Sequence, residues 1–289
     1  MEMKAIYKRE LKSYFSSMVG YAITVFFLLM VGVYFWGFNL NGGSSSIGST
    51  LSNIMWVYMV VLPILSMRLL AEEQKQKTDQ LLFSSPVSIW GIVTGKYLAA
   101  VTIFTAPFVV ICTMPVVLNL YGNVDFVGNY ATIFAFWLLG DVLLAIGLMV
   151  SSFTENQMVA AVISFAINFI LFLISSIASI LPSTALPSMV GLMILVLLVG
   201  IFLFVYIRNI IVSGVVVFIG EAALLVVYMI KSSLFESAFA NVISGISFMS
   251  RYSRFASGNF DLGSIFYYVT FIILFLYLTV QSIQKRRWS

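Results

Sequence analysis

Two carboxylates, Asp141 and Glu221, stand inside long apolar runs of this 289-residue chain. A charge at the centre of a bilayer costs about 2.5–3.5 kcal/mol on insertion scales. No Lys or Arg lies mid-run to pair with either acid. Each must therefore face a protein interior or a wet cavity. It would act there as a substrate contact or proton relay, or stay a neutral acid hydrogen-bonded to Ser, Asn or backbone. The chain has no His, which removes imidazole general bases and most catalytic zinc sites. Its one cysteine, Cys112, lies in an apolar run and reads as a small hydrophobe. Gly91-Ile-Val-Thr-Gly95-Lys96-Tyr97 is the nearest approach to a phosphate-binding loop. Such a loop needs four residues between its glycines and a hydroxyl after the lysine; here there are three residues and a tyrosine. Gly91 and Gly95 instead form a G-x-x-x-G pair, which allows close helix approach. No nucleophile–base pair appears, so a non-catalytic chain that binds no cofactor or metal of its own is expected.

The elements that hold these residues are membrane helices. The chain is 61% hydrophobic and 9% charged, whereas soluble proteins are about 25% charged. A spanning helix needs about 20 apolar residues. Eight stretches qualify, near 19–40, 52–70, 93–118, 130–153, 157–181, 189–207, 210–230 and 264–283. The first span, of about 22 residues, is too long for a cleaved signal peptide, and aromatic residues rather than a cleavage site follow it. Lys4, Lys8, Arg9, Lys12, Arg68, Lys75, Lys77, Lys96, Arg208, Lys285, Arg286 and Arg287 flank one set of ends. The positive-inside rule places both termini in the cytoplasm, as an even number of spans requires. The net charge of +4 is thus a topology signal, and no nucleic-acid partner is expected.

Three segments lie outside the spans. Residues 2–18 carry Met3, Tyr7, Leu11, Tyr14 and Met18 at helical spacing, with Lys4, Lys8 and Lys12 on another face. This reads as an amphipathic helix at the cytoplasmic interface, with its basic face toward anionic headgroups. Within the external segment 231–263, Phe235, Phe239, Val242, Ile246 and Met249 predict one amphipathic helix over 235–249. The loop 71–92 clusters charges from Glu72 to Asp79, followed by the apolar tip Leu81, Leu82 and Phe83 and then Pro86. An apolar tip at the membrane surface suits docking into a groove on a partner; leucines resting among the headgroups fit the same pattern. Pro63, Pro107 and Pro115 interrupt the second and third spans and invite kinks.

Taken together, several of these stretches resemble ABC-2 type permeases. Ala71-Glu-Glu-Gln-Lys-Gln-Lys-Thr-Asp-Gln-Leu-Leu-Phe-Ser-Ser-Pro86, followed by Gly95-Lys96-Tyr97, resembles their first cytoplasmic loop. Ser151-Ser-Phe-Thr154-Glu155-Asn156-Gln157 resembles their connection between spans four and five. Arg254-Phe-Ala-Ser-Gly258-Asn-Phe-Asp261, with Arg286-Arg287-Trp288, is similar to the gliding-motility-type branch.

The resemblance implies an all-α polytopic bundle: a six-helix core, an N-terminal elbow helix at 2–18 with Lys4, Lys8, Arg9 and Lys12 at the membrane surface, and an extra hairpin at 189–230. It implies a coupling helix within 72–86 that docks on a separate ATP-binding subunit through Glu72, Glu73, Lys77, Thr78, Leu81, Leu82 and Phe83, with Glu155 nearby. ATP and Mg²⁺ would be bound by two copies of that subunit, beneath a homodimer or heterodimer of permease chains in the cell's inner or plasma membrane. Two departures stand out: the family's usual Gly-Thr in the first loop is Lys77-Thr78 here, and Glu221 falls in the extra hairpin, where the family offers no guide. Export follows from the resemblance. A secondary transporter or channel using Asp141 and Glu221, and a non-transporting scaffold, are the alternatives that composition alone leaves open.

Overall fold

Backbone amides in lipid have no water to bond, and a helix satisfies them within one segment. The computed structural model describes residues 2–16, 18–78, 88–207 and 209–288, and these form helices and turns without a strand. The helices are α1 (Glu2–Ser16), α2 (Met18–Tyr34), α3 (Gly48–Asn53), α4 (Met55–Ser66), α5 (Arg68–Lys75), α6 (Ile89–Ile111) and α7 (Met114–Asn119). They continue as α8 (Phe126–Ser151), α9 (Gln157–Ile180), α10 (Ala185–Ile207), α11 (Ile210–Ile230), α12 (Ala238–Ile246), α13 (Phe248–Ala256) and α14 (Leu262–Trp288). A π-helical stretch, Phe35–Asn41, extends α2.

Seven stretches among the described residues are long and apolar enough to cross a membrane: Gly20–Asn41, Met55–Lys75, Ile89–Asn119, Phe126–Ser151, Gln157–Ile180, Ile210–Ile230 and Leu262–Arg286. The expected span at 189–207 lies in α10, whose 23 residues extend about 34 Å, more than the roughly 30 Å hydrocarbon core; its described apolar stretch is Ala185–Ile201. The third span starts four residues earlier than its hydropathy suggests. Ser88 caps α6 by accepting a hydrogen bond from the Gly91 amide, so the helix begins outside the apolar run. Pro63 and Pro107 stay within α4 and α6, whereas Pro115 opens the separate α7.

The chain divides into two compact units, 1–170 with 251–289 and 171–250. In the first, α8 is the central post, buried along most of its length. An aromatic cluster packs against it: Tyr58 stacks on Phe136 with centroids 4.2 Å apart, and Phe27, Phe104 and Phe108 surround the pair. The buried Tyr58 hydroxyl donates to the Phe136 carbonyl at 3.1 Å. At the far end of α8, the Asn129 side chain accepts from the Ile47 amide at 2.7 Å, and the Thr132 hydroxyl donates to the Phe255 carbonyl at 2.8 Å.

In the second unit α10 and α11 pair closely. A Cβ added at Gly200 would stand 2.0 Å from the Val217 side chain, and one at Gly220 would stand 2.8 Å from Val196. The external segment does not form one helix over 235–249. It is a 3₁₀ turn (Ser232–Phe235) followed by α12 and α13. Ser237 takes a left-handed φ of 57° and its amide bonds the Ser183 carbonyl, while Ser247 is extended. The apolar spacing of four and three was right for a helix, but this serine-directed turn breaks it.

Candidate functional site

One end of the first unit gathers α1, α5, the start of α6, the 151–156 connection and the end of α14. Both described chain ends therefore lie at this end. Its centre is Lys96, the eighth residue of α6 and 1% exposed. The Lys96 ammonium lies 3.0 Å from a Glu10 carboxylate oxygen, 3.0 Å from a Glu73 oxygen and 2.7 Å from the Leu69 carbonyl. Arg9 donates to the same Glu10 oxygen at 2.8 Å and to the same Glu73 oxygen. Two cations and two anions thus balance, and they tie α1, α5 and α6 together. A buried ammonium needs such partners, because an unpaired charge out of water is strongly unfavourable. Burial alone would raise the Glu10 carboxyl, but Lys96 and Arg9 hold it below the usual carboxylate range.

Around this centre the amides of α5 find partners on α8. The Ser151 hydroxyl accepts from the Leu70 and Ala71 amides at 3.2 and 3.0 Å and donates to the Met67 carbonyl. It thereby satisfies first-turn donors that a helix leaves unbonded. The Gln74 amide group and the Arg286 guanidinium both donate to the Ser152 carbonyl. Arg68 pairs with Glu72 at 2.9 Å and lies over the Tyr14 ring, whose hydroxyl donates to the Leu65 carbonyl. At Gly95, a Cβ would meet the Met3 carbonyl at 3.2 Å and Ile6 at 3.3 Å. That glycine sits where α1 crosses α6.

At its exit α5 closes in a Schellman turn: the Thr78 amide bonds the Glu73 carbonyl and the Lys77 amide bonds the Gln74 carbonyl. This motif places its middle residue in the left-handed region, where glycine is favoured. Lys77 holds φ 55°. The turn explains why a glycine suits this position and why lysine is strained there. Lys77→Gly is expected to stabilise the fold by about 1 kcal/mol, read as a raised unfolding midpoint in detergent; an unchanged or lowered midpoint would count against the turn.

The remaining predicted site residues fall as follows. Glu72 and Glu73 both pair on α5, Thr78 is half-buried, and Lys77 and Glu155 are exposed. Leu81, Leu82 and Phe83 lie outside the described residues. Lys4, Lys8 and Lys12 are exposed, the inward face of α1 is Ile6, Glu10 and Tyr14 rather than Met3 and Leu11, and Met18 opens α2. Asp141 is buried on α8 with its backbone carbonyl bonded by the Tyr97 hydroxyl; its Oδ1 has no hydrogen-bond partner among the described residues. Glu221 lies on α11, in the other unit.

Glu10 and Gln74 carry the site without having been singled out from the sequence, whereas Lys96 and Ser151 stood in quoted motifs with no part in a charge cluster or a cap assigned to them. The signal for Glu10 was its spacing of four from Ile6 and Tyr14. For Lys96 it was Ser88, which starts the helix two turns earlier.

Positions 37–190 match the model of a family described as ABC-2 family transporter protein, and that is just over half of the chain. The chain belongs to the ABC-2 transporter family. It is a multi-pass membrane permease of an ABC transporter. No curated protein matches it. The ABC-2 match takes in α5, α6 and the 151–156 connection, and so most of this site, but it leaves out α1 and α11. Glu10 and Arg9, which complete the charge cluster, therefore come from a segment outside the matched region. That segment is nonetheless bonded into the same site.

Proposed function

We propose that this chain is the membrane-spanning, non-catalytic subunit of an ABC exporter, driven by ATP hydrolysis on a separate subunit. The observation that carries the reading is the charge cluster of Arg9, Glu10, Glu73 and Lys96. In the sequence, residues 79–87 join α5 to α6, and both helices are fixed to α1 by those four side chains. A force applied to Leu81, Leu82 and Phe83 by a docked ATPase subunit would reach three helices together. Two ATPase copies would carry ATP and Mg²⁺. A second permease chain, identical or related, would complete the path, as the gliding-motility-type resemblance suggests.

In a pull-down of the full-length protein with its ATPase subunit, Leu81→Asp/Leu82→Asp is expected to weaken association by more than about tenfold, since two charges would enter an apolar contact. Association at the wild-type level overturns the assignment of 79–87 as the docking element.

A further inference from the structure

The α10–α11 hairpin extends well past position 190, where the family match stops. Between 185 and 230 the sequence holds two charged residues, Arg208 and Glu221. Glu221 is the twelfth of 21 residues in α11. It therefore sits about 17 Å along a helix of about 31 Å, at the depth of the bilayer midplane. Both carboxyl oxygens are shielded from solvent and have no hydrogen-bond partner among the described residues. A carboxyl group in that state has given up water without a replacement.

Beside it runs an open groove of about 450 Å³, lined by Leu197, Gly200 and Phe204 on one wall and Gly214, Val217 and Glu221 on the other. A Cβ at Gly214 would meet nothing within 4 Å, so the missing side chain leaves the trough open. The volume falls in the range of small-molecule sites, which are mostly apolar with a few polar groups. Glu221 lines the trough, and rotation about its side-chain bonds is fast, so its carboxylate can meet a ligand bound there.

We propose that this groove binds a lipophilic cation: an apolar body carrying one shielded positive charge. The apolar walls favour the body, and hydrocarbon gives a buried carboxylate no other counter-charge at that depth. A second copy of the hairpin fits less well, since it would bring another mid-helix acid and no mid-helix base. The proposal concerns binding at this hairpin and stands apart from the ATP-coupling reading.

The test uses the full-length protein in lipid nanodiscs, with tetraphenylphosphonium as the probe and tetraphenylborate as its anion of like shape. Saturable binding of the cation and none of the borate is expected. Glu221→Gln should weaken cation binding about tenfold or more, and Val217→Trp, which fills the trough, should do the same. Glu236→Gln, an exposed acid of the same unit, should leave it unchanged. Equal binding of the two ions, no binding of the cation, or wild-type binding by Glu221→Gln overturns the proposal. So does efficient inter-chain disulfide formation by Gly214→Cys in native membranes, which would place a second hairpin in the groove. The comparison of the two ions on the wild-type protein does not depend on whether a variant folds.

Discussion

Replacing Lys96 with methionine lowers the stability of the detergent-purified permease by roughly 3 kcal/mol, the scale for removing one member of a buried ion pair. Methionine is also long and unbranched, so volume changes little and charge is what the variant removes. Glu10 and Glu73 then face each other across the vacated position, with Arg9 alone to hold them. The figure sits at the low end of that scale because the Arg9 side chain is half exposed and water reaches both carboxylates in part. The measurement is the unfolding midpoint, paired with limited proteolysis of α1, which should become cleavable once its anchor is lost. Glu73→Gln in the Lys96→Met background should restore part of the loss, because it removes the repulsion; the two effects are then non-additive, as contacting residues require. A loss below about 1 kcal/mol, the value of a surface pair, would show that solvent already screens the cluster.

Gly147→Ala has the second large effect, and for a different reason. A Cβ there would lie 2.0 Å from the Ser66 hydroxyl oxygen and 2.6 Å from the Ser66 Cβ. Ser66 is fully buried and too short to swing aside. Helices α4 and α8 must separate, and overpacking of this kind costs about 1–3 kcal/mol. In lipid, where helix association rests on close packing rather than on water exclusion, the whole penalty is felt. Gly32→Ala is the matched control. Nothing lies within 4 Å of its Cβ position, so helix propensity alone acts and favours alanine by up to about 1 kcal/mol. Unfolding midpoints should move in opposite directions for the two alanines. Ser66→Gly should rescue Gly147→Ala, and a failure to rescue would mean that the clash is not the cause.

These two sites differ in how far the sequence exposes them. Gly147 is one of 19 glycines, and nothing in its neighbours marks it as the point where α4 touches α8. Lys96 carries more signal, since Ser88 places it inside a helix and a buried cation requires acids. Which acids answer it cannot be read locally, because Glu10 and Glu73 lie 86 and 23 positions away. The apolar face of α1 shows the same limit. Met3, Tyr7, Leu11, Tyr14 and Met18 satisfy helical spacing, yet the helix turns Ile6, Glu10 and Tyr14 inward because Lys96 and the backbone at Gly95 await them.

By itself the sequence determined that this is an all-helical, many-span membrane protein and where most spans run. Hydropathy and helical period decide those features within 20 or 30 residues, because the bilayer imposes the same demand on each segment. It also marked the strained Lys77 against the family's glycine. Tertiary structure alone decided the pairing of Arg9, Glu10, Glu73 and Lys96, the Ser151 cap on α5, the break of the external segment at Ser237, and the groove beside Glu221. Each of these depends on which distant backbones meet, and their geometry is fixed only when the helices pack.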